Sequence, residues 1–242
     1  MSDTVYYSQF GEDRILSEIF RGTGRGTCVE VGANDGITDS VTFFFEKIGW
    51  HCILIEPNPE LCRLIRANRK ATLHECAASD RAGFTTLYIA EGADRAHGVS
   101  TICATEEAKS KIKAYGFTTR PVEVITRELD DILAESNIEH GIDFISIDVE
   151  GHEYEVLKGF SLQRWAPKII VIEDNSNHAN PLVRNYLKRH GYISFKRTGV
   201  NDWFATRTQG DLLSWANRGR YLLGFLKARA ASGFKKMSTL GK

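Results

Sequence analysis

Val29-Glu30-Val31-Gly32-Ala33-Asn34-Asp35-Gly36 carries the sharpest local pattern in the chain: an apolar run that breaks into two glycines separated by small and polar residues. Glycine at such a break lets the backbone turn tightly and lets its N–H groups face a ligand. Working backward, the apolar run begins at Thr27 and reads as a short buried strand that ends at Gly32. Working forward, the pattern predicts a helix around Ser40 to Ile48. A second buried strand, His51 to Ile55, then ends at Glu56, and a proline opens a helix from Pro59 to Arg69. A dinucleotide loop would read G-x-G-x-x-G. Here Ala33 and Asn34 follow the first glycine and Ile37 fills the last glycine slot, which disfavours NAD. Glu56 sits where a strand-end carboxylate can accept hydrogen bonds from both hydroxyls of an adenosine ribose. The competing reading has it cap the helix that follows.

The βαβα order continues. A third run surrounds Thr72 to Ala77, and Thr85 to Ile89 reads as an accessory strand before a loop from Glu91 to Thr101. A short helix at Asp130 to Ser136 leads to a buried strand, Phe144 to Ile147, followed by a helix over 153–159 and a strand from Lys168 to Ile172. Tyr192 to Lys196 and Trp203 to Thr206 flank the turn-rich Thr198-Gly199-Val200-Asn201, the spacing of an antiparallel hairpin. Alternating strands and helices specify an α/β fold: a doubly wound, Rossmann-like, mostly parallel sheet covered on both faces, with the hairpin as an antiparallel edge.

The 242 residues balance 31 basic against 31 acidic side chains, so no global field marks the chain for nucleic acid. The balance is local. From Asp211 to Lys242 there are seven basic residues and one acid, which leaves the tail at +6 and residues 1–210 at −6. We expect one domain over 1–210 and a basic, partly apolar tail over 211–242. The tail has the composition of an interfacial helix or partner arm, although Gly219 and Gly224 favour a terminal helix packed on the sheet over contact with a membrane surface. The five cysteines, Cys28, Cys52, Cys62, Cys76 and Cys103, include no C-x-x-C pair and fit a reduced interior. With no leader pattern and no apolar span, the sequence reads as cytoplasmic.

Six blocks in order resemble the FkbM family of S-adenosylmethionine-dependent methyltransferases over roughly residues 6 to 206. They are Ser8-Gln9-Phe10-Gly11-Glu12-Asp13, residues 29–36, Ile55-Glu56-Pro57-Asn58-Pro59, Asp80 with Gly83, Leu129-Asp130-Asp131-Ile132-Leu133, and Ile147 to Glu153 continuing to Leu157-Lys158-Gly159. The sheet with its closing hairpin is also typical of methyltransferases. One departure is Arg127-Glu128-Leu129, where the family usually reads Thr-Leu; we take it as a structural loop. The resemblance implies that Glu30, Gly32, Asn34, Asp35 and Gly36 line the methionine and ribose side, with Glu56 on the ribose hydroxyls. It implies that Asp80 lies near the adenine amino group, and that Ser8, Gln9 and Asp13 fold over the cofactor as a lid. Asp80 reads equally as a turn residue, and Ser8 as a helix N-cap.

Methyl transfer to a hydroxyl needs alignment and a group that removes a proton. Asp148-Val149-Glu150-Gly151-His152-Glu153 emerges at the carboxyl edge of the sheet, where ligands bind. Asp148, Glu150, His152 and His178 are therefore the candidate catalytic residues; Glu153 reads as a helix opener and Gly151 as a turn residue. Asp148, Asp174 and Asn175 at neighbouring strand ends are similar to the ligand set of catechol O-methyltransferase-like enzymes, which implies a Mg²⁺ site; Asp174-Asn175 capping a helix near Asn180 competes. The expected acceptor is a small molecule or glycan carrying a hydroxyl, on a sugar, glycolipid or secondary metabolite, with nitrogen acceptors open. A non-catalytic S-adenosylmethionine-binding module and, more weakly, a nucleotide-dependent oxidoreductase are the alternatives.

Overall fold

Side-chain alternation along the buried strands decides the layering. The computed structural model describes residues 4–92, 96–102, 110, 112–139, 141–176, 178, 179 and 181–206. In strand β1 (Thr27–Val31), Val29 and Val31 face one core while Cys28 faces the other. The same split recurs in β2 (His51–Ile55), β7 (Phe144–Ile147) and β8 (Ile169–Glu173). A parallel strand with helices on both faces must be apolar on both, and this explains why these segments read as continuous apolar runs.

Seven strands form the main sheet in the order β3-β2-β1-β7-β8-β10-β9, where β3 is Thr72–His74, β9 is Tyr192–Thr198 and β10 is Asn201–Thr206. β1, β2, β3, β7 and β8 run parallel; β10 is antiparallel to both β8 and β9. This is the doubly wound sheet with a closing hairpin that the sequence predicts. One face is covered by α4 (Leu129–Ala134), α5 (Glu153–Lys158), α6 (Leu162–Trp165) and α7 (Leu182–Arg189) through Ile132, Leu157, Leu162 and Leu187. The other is covered by α1 (Glu12–Ile19) and α2 (Phe43–Lys47), through Leu16 and Phe45, with Trp50 and Trp203 beside them. Each such side chain stabilises the fold by roughly 1.5–3 kcal/mol on burial. Helix α3 (Pro59–Asn68) follows β2 and closes the side toward β3.

Three expectations change. The helix foreseen from Ser40 begins only at Phe43, because Ser40, Val41 and Thr42 wrap the Glu30 carboxylate instead. The run Thr72 to Ala77 is shared between sheets: β3 joins the main one, and β4 (Ala77–Ser79) joins a second, three-stranded sheet of order β4-β6-β5. There β5 (Gly83–Glu91) pairs antiparallel along its whole length with β6 (Thr118–Glu128), so Arg127 and Glu128 end a strand and are not a loop. Residues 207–242, which hold the basic tail, and Cys103 lie outside the described residues. Among the described residues no helix is long and apolar enough to cross a membrane.

Candidate functional site

The carboxyl ends of β1, β2, β7 and β8, the start of β10, the N-terminal arm and the second sheet enclose a cavity of about 520 Å³. The turn after β1 forms its floor. Gly32 has φ +84°, and a Cβ there would stand 1.8 Å from the Asp148 carbonyl oxygen, so only glycine lets β1 and β7 approach this closely. Asn34, at φ +51°, continues the turn. Asp35 closes it by accepting from the Ile37 and Thr38 N–H groups at 2.8 and 2.7 Å and from the Thr38 hydroxyl at 2.7 Å. Burial alone would raise the Asp35 pKa, but these bonds outweigh it and hold the carboxyl below its usual range.

Behind the turn, Glu30 is buried and accepts from the Ser40 hydroxyl at 2.8 Å, the Val41 N–H at 2.7 Å and the Thr42 hydroxyl. Arg69 braces the same segment: its guanidinium donates to the Gly36 carbonyl at 2.6 Å and to Glu46 at 2.8 Å, and lies 4.0 Å from Glu30. The sequence marks Arg69 only as the end of a helix and not as a brace, because its partners lie 23 to 39 residues upstream.

Glu56 follows β2, 5% exposed, and accepts from the Asn34 N–H at 3.0 Å and the Asn58 N–H at 2.8 Å. Asn58, not Glu56, caps α3, through the Glu60 N–H at 2.9 Å. Glu56 thus links the glycine turn to β2 and faces the cavity. Burial pushes its pKa up to about 7 against the two bonds that lower it. Beside it, Pro57, Leu61, Leu64, Cys76, Ala77 and Ala78 make an apolar wall.

At the other end, the carboxylate oxygens of Asp148, Glu150 and Glu173 all lie within 4.8 Å of one another, and all three residues line the cavity. Glu153 clamps their loop from below, accepting from the Val149 and Gly151 N–H groups at 3.3 and 3.0 Å; burial raises its pKa. Glu150 is held at φ +52°. Neutral amides share this end: Gln9 on the N-terminal arm, Asn175 after β8 and Asn201 at the start of β10.

Of the residues singled out in the sequence, Gln9, Glu30, Gly32, Asn34, Asp35, Glu56, Asp148, Glu150 and Asn175 line the cavity, and the rest do not. Gly36 lies under the turn, where a Cβ would meet Arg69 Cγ at 2.9 Å. Ser8 and Asp13 are spent on each other, hydroxyl to carboxylate at 2.6 Å, and Asp13 also accepts from the Tyr7 N–H. Asp80 accepts from Lys158 at 2.5 Å, which lowers its pKa, and lies outside the cavity. His152 bonds the Ser79 hydroxyl at 3.0 Å, and burial lowers its pKa. Asp174 does not meet Asp148. Adjacent residues of an extended chain point to opposite sides, so Glu173 takes the cavity side. Asp174 folds back to accept from Ser176 Oγ at 2.5 Å and the His178 N–H at 3.0 Å. His178 lies with Asp174, Asp202 and Arg184, away from the cavity. Glu12, Glu173 and Asn201 line the site although sequence reasoning passed over them. Glu173 was legible, being the last residue of its strand; the other two were not.

A sequence model of the Methyltransferase FkbM domain matches residues 30–194. The structure is similar to precorrin-6y C5,15-methyltransferase from Geobacter metallireducens GS-15, at 16% identity over 84% of this chain and 89% of that one, with a TM-score of 0.40. It is also similar to a chain of a fibrillarin/Nop5p complex, at 13% identity over 85% and 88% of the two chains, with a TM-score of 0.39. No curated protein matches the chain.

Proposed function

The chain belongs to the FkbM methyltransferase family, and from that premise we propose that its cavity binds S-adenosylmethionine and that it methylates a hydroxyl oxygen of a sugar, glycolipid or other polyhydroxyl small molecule. The observation that carries this reading is the buried Glu56 carboxylate at the β2 end, opening on the same cavity as the Asp148, Glu150 and Glu173 cluster. The donor set fits the cofactor. Eight carboxylate residues and, among the described residues, no lysine, arginine or histidine line the cavity. That environment suits a cationic ligand and opposes the pyrophosphate of a dinucleotide, which counts against the oxidoreductase reading.

When bound, the cofactor supplies a methyl group activated by its sulfonium. Glu56 accepts both ribose hydroxyls, and the wall from Pro57 to Ala78 takes the adenine face. The turn from Gly32 to Asp35, its Gly32 and Ala33 N–H groups bonded to the Ile55 carbonyl and its Asn34 N–H to Glu56, lines the methionine end. Gln9, Asn175 and Asn201 orient the acceptor by hydrogen bonds, a mixed donor and acceptor set suited to several hydroxyls. With His152 and His178 outside the cavity, Glu150 is the proposed general base: its carboxylate takes the proton of the reacting hydroxyl while Asp148 and Glu173 accept from neighbouring hydroxyls of the same acceptor and so hold it in line. A crowded acidic edge of this kind counts against a module that only binds.

Labelled S-adenosylmethionine offered with a panel of free sugars, glycolipids and small polyols tests the reading, with and without EDTA. We expect transfer to a neutral hydroxyl acceptor, lost in Glu150→Gln and undiminished in chelator. Activity lost to EDTA and restored by Mg²⁺ would instead place a divalent cation among the oxygens of Asp148, Glu150 and Glu173. Transfer to nitrogen alone would overturn the oxygen assignment.

A further inference from the structure

Glu12 is a fully buried carboxylate that the chemistry of transfer does not use. It stands at the first turn of α1, directly after the arm that carries Gln9 and Phe10. Its Oε1 accepts from the Thr198 hydroxyl at 2.5 Å and from Asn201 Nδ2 at 3.1 Å; its Oε2 accepts from the Phe10 N–H at 3.0 Å. One side chain therefore ties the start of the described chain to the turn between β9 and β10, across more than 180 residues of sequence. Two further contacts complete the attachment. Ser8 forms a parallel bridge with Asp39 in the segment after the glycine turn. The Phe10 ring lies against Gly199, where a Cβ would stand 2.5 Å from three ring carbons.

The partners are not scattered through the core. Gln9, Phe10 and Glu12 from the arm, Asp39 from the glycine segment, and Val200 and Asn201 from the hairpin all line the cavity. The arm is thus fastened at one end beside the proposed methionine site and at the other beside the acceptor end. Burying a carboxylate is costly unless it is fully hydrogen-bonded, and an apolar residue would have packed the same junction without that cost. What the carboxylate adds is direction, because each of its donors belongs to, or adjoins, a residue of the cavity wall.

We propose that Glu12 is a positioning residue, the latch that fixes Gln9, Phe10 and Asn201 as a standing outer wall of the cavity, so that loosening it speeds the release of bound cofactor product. The proposal rests on the S-adenosylmethionine reading above. It replaces the lid imagined over Ser8, Gln9 and Asp13 with a tethered arm whose fastening residue is Glu12.

The test measures release of S-adenosylhomocysteine by stopped-flow displacement in the full chain and in Glu12→Gln, Thr198→Val and Gly199→Ala, with thermal midpoints and hydrogen exchange of residues 4–20 recorded alongside. Glu12→Gln loses the bond from Phe10, Thr198→Val loses one donor, and Gly199→Ala pushes Phe10 aside without touching Glu12. Loss of one such bond corresponds to release faster by about tenfold, and exchange should rise in the arm but not in β1. Variants with lowered midpoints but unchanged release would make Glu12 a strut only and overturn the proposal. Faster exchange in the arm with unchanged release overturns it too. If the parent protein fails to bind S-adenosylhomocysteine while its arm stays protected, the cofactor reading falls and takes the release role with it.

Discussion

Glu56 is held in the interior by only two backbone N–H groups, and its pKa is pushed up to about 7. A carboxyl raised in this way is stabilising in its protonated form, so the stability it contributes is present below the ordinary carboxylate range and is lost as pH rises through about 7. Cofactor binding has the opposite sign. Ribose hydroxyls donate to the ionised carboxylate, so binding below about pH 7 must expel a proton. We therefore expect S-adenosylhomocysteine affinity to rise by up to about tenfold per pH unit on approach to neutrality and then to level off. Calorimetry in buffers of different ionisation enthalpy would show the released proton. Glu56→Gln should flatten the profile and weaken binding at neutral pH by about 1.5–3 kcal/mol for each charge-assisted bond lost. A profile that stays steep in the variant would move the proton to another group.

The element that builds the site is the segment from β1 to α2, and it is not self-supporting. Ser40, Val41 and Thr42 hang on Glu30, and Gly36 hangs on Arg69, whose side chain is wholly buried between Glu30 and Glu46. Breaking a buried ion pair from one side leaves uncompensated charge, so Arg69→Met should cost about 3–5 kcal/mol in denaturant unfolding. It should also weaken S-adenosylhomocysteine binding although Arg69 does not line the cavity. A variant as stable as the parent would mean that Glu30 and Glu46 find other partners. At the same scale, β6 shows what the pattern held and what was passed over: Val122, Val124 and Thr126 alternate inward as a half-buried strand should. Pro121 and the charges beside it hid that alternation, and only the pairing with β5 makes it a sheet.

At the scale of the whole molecule, the cavity is walled by the N-terminal arm, both sheets and the hairpin, so a ligand there touches all of them at once. S-adenosylhomocysteine at a hundred times its Kd should therefore stabilise the fold by about 2.7 kcal/mol. For a chain of this size that amounts to a rise in Tm of about 5–11 °C, read by calorimetric scan, while NAD should give none; the reverse result would restore the dinucleotide reading. How much of this was legible follows from the range of the forces. The strands of the main sheet, its doubly wound order, the glycine turn and the acidic ends of β2 and β7 were readable in the sequence. Burial on both faces of a parallel strand and a glycine at φ +84° impose local patterns that need no partner to be recognised. Tertiary structure alone decided that Asp80 pairs with Lys158 and that His152 turns to Ser79. It alone decided that Arg69 and Glu12 brace the site from afar. A charged side chain is long and finds its partner by distance in space, and spacing along the chain does not record that distance.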